Sequence, residues 1–299
     1  MTTNIRLLDG GMGRELKRVG APFRQPEWSA LALMEGPHFV TLAHQSFIDA
    51  GAQIITSNSY AVVPFHIGQD RFDTQGRDLA ALAGKLARDA ADAAPHKVTV
   101  AGSLPPALGS YRPDLFDEAA SVAIHHVLVA GLAPHVDVWL AETQSSIAEI
   151  KAARTALGDD PRPFWVSFTL DDEPADGPAL RSGEGVADAV EVALELGVSA
   201  ILFNCSQPEV MADAVKAARA VIEAAAPARS VEIGVYANAF PPTPKNAKAN
   251  VTLDELRPDL TPANYARWGQ GWADLGAGII GGCCGITPDH IAALRDHLR

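Results

Sequence analysis

Three observations predict a single (β/α)8 barrel of the TIM-barrel class within the α/β folds. Short β-branched or aliphatic runs alternate with longer Ala/Leu-rich segments of helical spacing, and this happens eight times. No Ser/Gly-rich linker or shift in composition divides the 299 residues, so one domain over 1–299 is expected rather than two doubly wound halves. Finally, the residues best suited to chemistry cluster after the predicted strands, on the face where barrel enzymes build their sites.

In chain order, the strands are expected at 5–8, 53–57, 97–101, 136–142, 164–168, 200–204, 232–236 and 278–280. Helices are expected at 38–50, 74–94, 116–133, 145–157, 185–196, 208–225, 262–275 and 288–298. Three helix starts carry local punctuation: Ser206 before Pro208, Thr261 before Pro262 and Thr287 before Pro288. Each offers a hydroxyl cap ahead of a first-turn proline, whose missing N–H has no partner to lose. The segments 21–37 and 238–260 are too long and irregular for simple connectors; loops of that length are functional or disordered, and both are expected over the barrel mouth.

Composition removes several classes of function. The net charge of -12 and the lack of a Lys/Arg block exclude the electrostatic footprint of a nucleic-acid binder. The uncharged run 275–286 is too short and too rich in glycine to span a bilayer. Arg6, Asp9, Arg14 and Glu15 interrupt the opening residues, so no apolar export signal is expected and a cytoplasmic location follows.

The strongest local signal is Gly281-Gly282-Cys283-Cys284-Gly285, directly after the eighth strand. Adjacent cysteines diverge on a strand, but a glycine-flanked turn lets both sulfurs face one point. The third cysteine, Cys205, ends the sixth strand. In a barrel these strand ends converge, and three thiolates there suit a catalytic zinc, whose fourth position stays open. Two other readings stand beside it: burial of the cysteines as small apolar residues, and a vicinal disulfide between Cys283 and Cys284. No H-E-x-x-H or C-x-x-C pattern competes. The pair His125-His126 lies mid-helix and reads as one core and one surface residue.

Asp9-Gly10-Gly11-Met12-Gly13 leaves the first strand. Its spacing does not fit a dinucleotide loop, because Leu16 occupies the third glycine slot. Asp9 with Gly10 offers a carboxylate and an open backbone for an ammonium group, or else a helix cap. Glu142 ends the fourth strand after an apolar run, and Asn58, Ser59, Tyr60, Asn204 and Asn238 add polar groups to the same rim.

Taken together, these residues resemble the homocysteine S-methyltransferase family nearly end to end. The resemblance rests on Asp9-Gly10-Gly11, on Asn204-Cys205, and on the stretch from Thr261-Pro262 through the cysteine pair to Thr287-Pro288-Asp289-His290-Ile291. It implies a (β/α)8 barrel with zinc on Cys205, Cys283 and Cys284. It also implies amino-acid binding at Asp9 and Gly10, the homocysteine ammonium on Glu142, and support of the metal ligand by Asn204. Where many relatives have Pro-Asn-Ser/Ala-Gly after the seventh strand, this chain reads Ala237-Asn238-Ala239-Phe240-Pro241. The chain ends at the last barrel helix, so the methyl donor is expected to bind the same barrel.

The expected reaction is methyl transfer from a sulfonium, S-methylmethionine ahead of S-adenosylmethionine, to homocysteine. A metal ionises a thiol that is otherwise mostly protonated near neutral pH. Tyr60 and Phe240 could hold the sulfonium by cation–π attraction. The rivals are a betaine-like donor, a selenol acceptor, a thiol-binding barrel without turnover, and a metal-free lyase using Glu142 or Asp9 as base.

Overall fold

A computed structural model describes residues 5–242 and 256–298. The eight strands are β1 (Arg6–Leu7), β2 (Ile54–Thr56), β3 (Thr99–Leu104), β4 (Val138–Gln144), β5 (Phe164–Phe168), β6 (Ala200–Asn204), β7 (Glu232–Tyr236) and β8 (Ile279–Ile280). They pair in parallel in the order β1-β8-β7-β6-β5-β4-β3-β2. A parallel bridge from Leu8 to Ile54 closes the ring, with Gln53 N–H donating to Leu7 O at 2.7 Å and Asp9 N–H to Ile54 O at 2.9 Å. The expected barrel is therefore the observed one.

Strand alternation divides the core in two. Leu8, Ile54, Ala101, Leu140, Trp165, Leu202, Tyr236 and Ile279 fill the barrel interior. Their opposite-facing neighbours, among them Ile55, Val100, Trp139, Val166, Phe203, Val235 and Ile280, pack under the helices. At the N-terminal end Arg6 crosses the bore, paired with Glu232 at 2.7 Å and lying 5.3 Å over the Trp165 ring. The open end is thus the one where the strands finish.

The barrel helices span Pro37–Ala50, Gln69–Asp92, Glu118–Leu132, Ile147–Leu157, Val186–Glu195, Pro208–Ala225, Pro262–Asp274 and Pro288–His297. The second of these starts before the expected residue 74 because buried Phe72 extends its apolar face. Strand β4 runs two residues beyond the expected end at Glu142, through a register irregularity between Ala141 and Gln144. The segment 21–37 is less irregular than expected, since Ala30–Glu35 forms a buried helical turn and a half. Thr261 caps its helix, accepting from Asn264 N–H, and Thr287 pairs with His290 at 2.8 Å. Ser206 does not cap: Gln207 holds that position, and the Ser206 hydroxyl accepts Leu170 N–H at 2.7 Å instead. His125 is buried, its Nε2 2.7 Å from Pro105 O, and His126 is exposed. Within the long segment 238–260, residues 243–255 lie outside the described residues. Among the described residues no helix is long and apolar enough to cross a membrane.

Two helix glycines should respond to alanine in opposite directions. A Cβ at Gly131 would collide with Arg77 O in the neighbouring helix, whereas one at Gly271 meets open space among the described residues. Gly131→Ala is expected to cost about 1–3 kcal/mol by overpacking. Gly271→Ala is expected to add about 0.5–1 kcal/mol by helix propensity. Urea denaturation midpoints check both, and equal shifts would contradict the packing described.

Candidate active site

Barrel closure sets β1 beside β8, and the loops that leave them touch without side chains between. A Cβ at Gly11 would stand 2.7 Å from Cys283 O, and one at Gly10 would stand 2.6 Å from Ile286 O. Gly11 N–H donates to Ile286 O, and Gly282 N–H to Asp9 O, both at 2.9 Å. Gly285, at φ +85°, completes the turn that carries the two cysteines. Gly10, Gly11 and Gly281 thus have one reason: two backbones meet where no side chain fits.

Cys205 follows β6 in the left-handed region, at φ +53°, which rotates its sulfur off the strand direction and into the bore. Its Sγ lies 2.8 Å from Cys283 Sγ and 3.8 Å from Cys284 Sγ, and all three sulfurs fall within 4.8 Å of one another. The three are free cysteines, so the vicinal disulfide is not formed. Mere apolar packing does not describe them either, because polar donors reach the sulfurs. Tyr111 donates its hydroxyl to Cys205 Sγ at 3.0 Å, and Asn204 Nδ2 stands 3.9 Å from Cys283 Sγ. Hydrogen bonds from Cys283, then Cys284, hold the Cys205 thiol well below the usual range, against the opposing effect of burial. Those same contacts push Cys283 and Cys284 up. Three thiolates this close need a cation between them, and soft sulfur donors select zinc and similar metals.

Asn204 is the buried tie beneath the centre. Its Oδ1 accepts from Thr143 N–H at 3.1 Å and from Ser167 Oγ at 2.8 Å, while its Nδ2 donates to Thr143 Oγ1 at 2.8 Å. Thr143 sits at φ +60° within the β4 irregularity, so Asn204 holds the turn that presents Glu142.

Glu142 shares the inward parity of Val138 and Leu140 and is buried. Ser103 donates to one of its carboxylate oxygens, and Tyr236 donates to the other at 3.4 Å. Burial above all, with the Cys205 charge adding to it, raises its pKa to about 7 despite the Ser103 bond. Asp9 is held by Thr56, whose N–H donates at 2.8 Å and whose hydroxyl lies at 3.2 Å. The N-cap of the helix Met12–Arg18 is Gly11, so Asp9 is not a helix cap. Burial also raises Asp9, and the Glu142 charge adds to the effect. Two acids that burial raises, side by side, form a site that a cation would return to full ionisation.

Asp9, Gly10, Glu142, Asn58, Tyr60, Phe240 and all three cysteines line one cavity at the mouth. Asn58 donates Nδ2 to Ser29 O at 3.1 Å, and its buried Oδ1 has no partner among the described residues, leaving an acceptor for a ligand. Tyr60 bonds Ser110 at 2.5 Å. Asn238 departs from expectation. It does not line the cavity, because its Oδ1 accepts from Gln207 Nε2 and from Phe240 N–H, each at 3.2 Å, and so shapes the loop. The Phe240 ring also departs, since the Arg14 guanidinium lies 5.2 Å over it and already supplies the cation.

Sequence reasoning passed over Tyr111, Tyr236 and Arg14. Tyr236 was findable, because it closes β7 with the parity of an inward residue. Arg14 stood inside the glycine motif. Tyr111 sits in a loop at φ +63°, placed by Arg181 stacked 4.6 Å from its ring, and no local pattern signals that.

Residues 6–298 match the family described as Homocysteine S-methyltransferase. The homocysteine S-methyltransferase of Escherichia coli strain K12 is 31% identical, over 98% of this chain and 94% of that one. The selenocysteine methyltransferase of Astragalus bisulcatus is 25% identical, over 96% of this chain and 90% of its own. The crystal structure of the Escherichia coli homocysteine methyltransferase MmuM in its metallated form superposes with a TM-score of 0.78. It is 28% identical and covers 98% of this chain and 96% of that one.

Removing the Asn204 side chain should loosen the β4–β6 seam, because buried donors and acceptors on Thr143 and Ser167 lose their partner. Asn204→Ala is expected to cost about 2–4 kcal/mol in chemical denaturation, from stranded buried polar groups. A loss below about 0.5 kcal/mol would contradict this role.

Proposed function

Because the chain belongs to the homocysteine S-methyltransferase family, we propose that its three-cysteine centre is a zinc site. There a methyl group passes from a sulfonium, S-methylmethionine in preference to S-adenosylmethionine, to the thiol of homocysteine. On this reading residues 1–299 are one catalytic domain. The observation that carries it is the gathering of Cys205, Cys283 and Cys284 within 4.8 Å, in a cavity that Asp9 and Glu142 also line.

Cys205, Cys283 and Cys284 would hold the zinc, which when bound supplies the positive charge that lets an incoming thiol ionise at neutral pH. Glu142 and Asp9, with Asn58 Oδ1, receive the ammonium of homocysteine and orient its sulfur toward the cysteine floor. Tyr60 offers an aromatic face to the sulfonium. Tyr111 and Asn204 donate hydrogen bonds that settle the charge on the cysteine sulfurs. The homocysteine sulfur forms a bond to the methyl carbon as the donor's carbon–sulfur bond breaks. The electron pair of that bond stays on the departing sulfur, which becomes a neutral thioether. The thiol proton is released to solvent, so homocysteine and S-methylmethionine give two methionines and one proton. Positive charge on the donor sulfur is cancelled as the methyl group moves, and a near-attack distance of ~3–3.5 Å is what the closed cavity has to enforce. The similarity to the selenocysteine methyltransferase favours a second acceptor, a selenol, at the same position.

Purified protein should bind about one zinc per chain, as the three-cysteine set implies. It should form methionine from homocysteine with S-methylmethionine faster than with S-adenosylmethionine or betaine. Cys205→Ala, Cys283→Ala and Cys284→Ala should each lose both metal and turnover, and selenocysteine can replace homocysteine in the same assay. Full zinc content and full activity in all three variants would refute the proposal.

The pH dependence follows from Glu142. An ammonium pairs with the carboxylate form, which in the free site gives way to the acid as pH falls through about 7. Homocysteine affinity is therefore expected to weaken by up to about tenfold per pH unit below that point, as proton linkage requires. In Glu142→Gln the affinity should be lower and this slope shallower. Calorimetric titrations between pH 5.5 and 8 read both, and a flat profile in the unaltered protein would exclude Glu142 as the ammonium's partner.

A further inference from the structure

We infer that Arg181, which is not among the residues lining the cavity, is a positioning residue for the metal centre: with Asp172 it aims the Tyr111 hydroxyl at Cys205. The loop after β5 thereby controls how one cysteine sulfur binds its metal. This rests on the reading of Cys205, Cys283 and Cys284 as a metal site. Arg181 and Asp172 pair at 3.1 Å, with side chains only 7% and 3% exposed. Stripping water from two charges offsets most of their attraction, so a buried pair adds little net stability. What it supplies here is fixed geometry.

Three of its contacts lead to Cys205. The Arg181 guanidinium lies 4.6 Å from the centre of the Tyr111 ring, and the Tyr111 hydroxyl donates to Cys205 Sγ at 3.0 Å. Arg181 Nε donates to Thr169 Oγ1 at 3.1 Å, and that hydroxyl lies 3.5 Å from Cys205 O. Asp172 accepts Gln207 N–H at 2.9 Å, two residues beyond Cys205. One ion pair thus reaches the sulfur, the carbonyl and the turn that follows. Tyr111 depends on it most. It arrives on a different loop, after β3, in the left-handed region at φ +63°. Its neighbour Ser110 is anchored by the Tyr60 hydroxyl at 2.5 Å, which holds the backbone of that loop but not the Tyr111 ring. The contact on the face of the ring sets its direction, and with it the place of the hydroxyl at its far end. A tyrosine hydroxyl is a donor at neutral pH, and a hydrogen bond to a metal-bound atom orients that ligand and tunes its strength. A flat guanidinium stacks on the ring in a way that an ammonium does not match.

The test measures zinc affinity of the full chain by competition with a chromophoric chelator, in unaltered protein, Tyr111→Phe, Arg181→Lys and the double variant. Lysine keeps a positive charge opposite Asp172, and thermal unfolding checks that the fold survives. Tyr111→Phe should weaken zinc binding about tenfold, the lower end for a lost outer partner of a metal ligand. Arg181→Lys should weaken it by a similar factor alone. In the Tyr111→Phe background it should weaken it by less than about twofold, because residues acting through one hydrogen bond are not additive. In cobalt(II)-loaded protein the thiolate-to-metal absorption band should shift in both single variants and no further in the double one. Asp172→Asn, which releases the guanidinium without removing it, should repeat the cycle if Arg181→Lys does not fold. Equal losses in the two backgrounds overturn the proposal, as does a lowered melting temperature with unchanged affinity and band. Unaltered protein that binds neither zinc nor cobalt overturns the metal-site reading and this proposal together, whereas tight binding with additive losses overturns the proposal alone.

Discussion

The seam between the first and last strands is the constraint on which the mouth of this barrel depends. Only glycine at positions 10, 11 and 281 lets the chain leaving β1 lie directly against the chain leaving β8. That contact fixes the cysteine pair relative to Asp9. Because β6 lies two strands from β8 in the sheet, Cys205 reaches the pair across the bore rather than along the chain. A side chain at the seam would push the cysteine turn away from Asp9, and every group above it would lose its register. The cavity is therefore organised by an absence of bulk at its edge and by tight hydrogen bonding beneath.

Electrostatics divides that cavity by depth. At the floor, burial raises the proton affinity of both acids, and the Glu142 charge adds to that of Asp9, so a cationic ligand would favour their ionised forms. At the rim, an arginine stacked on an aromatic ring carries the opposite sign. Burial is what gives these charges their reach, because water screens them least where the side chains are fully enclosed.

The positions around the centre differ in how they are supported. Cys205, Thr143 and Tyr111 all occupy the left-handed backbone region although none is glycine. Each is held there by partners from other strands or loops: Asn204 and Ser167 around Thr143, the other sulfurs around Cys205, and Arg181 with the cysteine around Tyr111. Strained backbone persists where surrounding contacts outnumber the local preference, and here that happens where the side chains must point inward.

Much of this was legible in the residues alone. The βα rhythm fixes eight strands within three residues, because apolar spacing reports burial directly, and the glycine-flanked cysteine pair marks the candidate metal centre by its position after a strand. Asp9 and Glu142 follow from strand ends and parity. Other features needed the folded chain. Ser206 and Asn238 carry the right groups for a cap and for a ligand contact, yet hydrogen bonds from Leu170, Gln207 and Phe240 claim them. Phe240 reads as a sulfonium platform until Arg14 is found over it. Tyr111 has no periodic signal at all. Periodicity and turn chemistry are local and so are written in sequence order, whereas which neighbour claims a hydrogen bond or the face of a ring is settled only when distant segments compete for the same few ångströms of space.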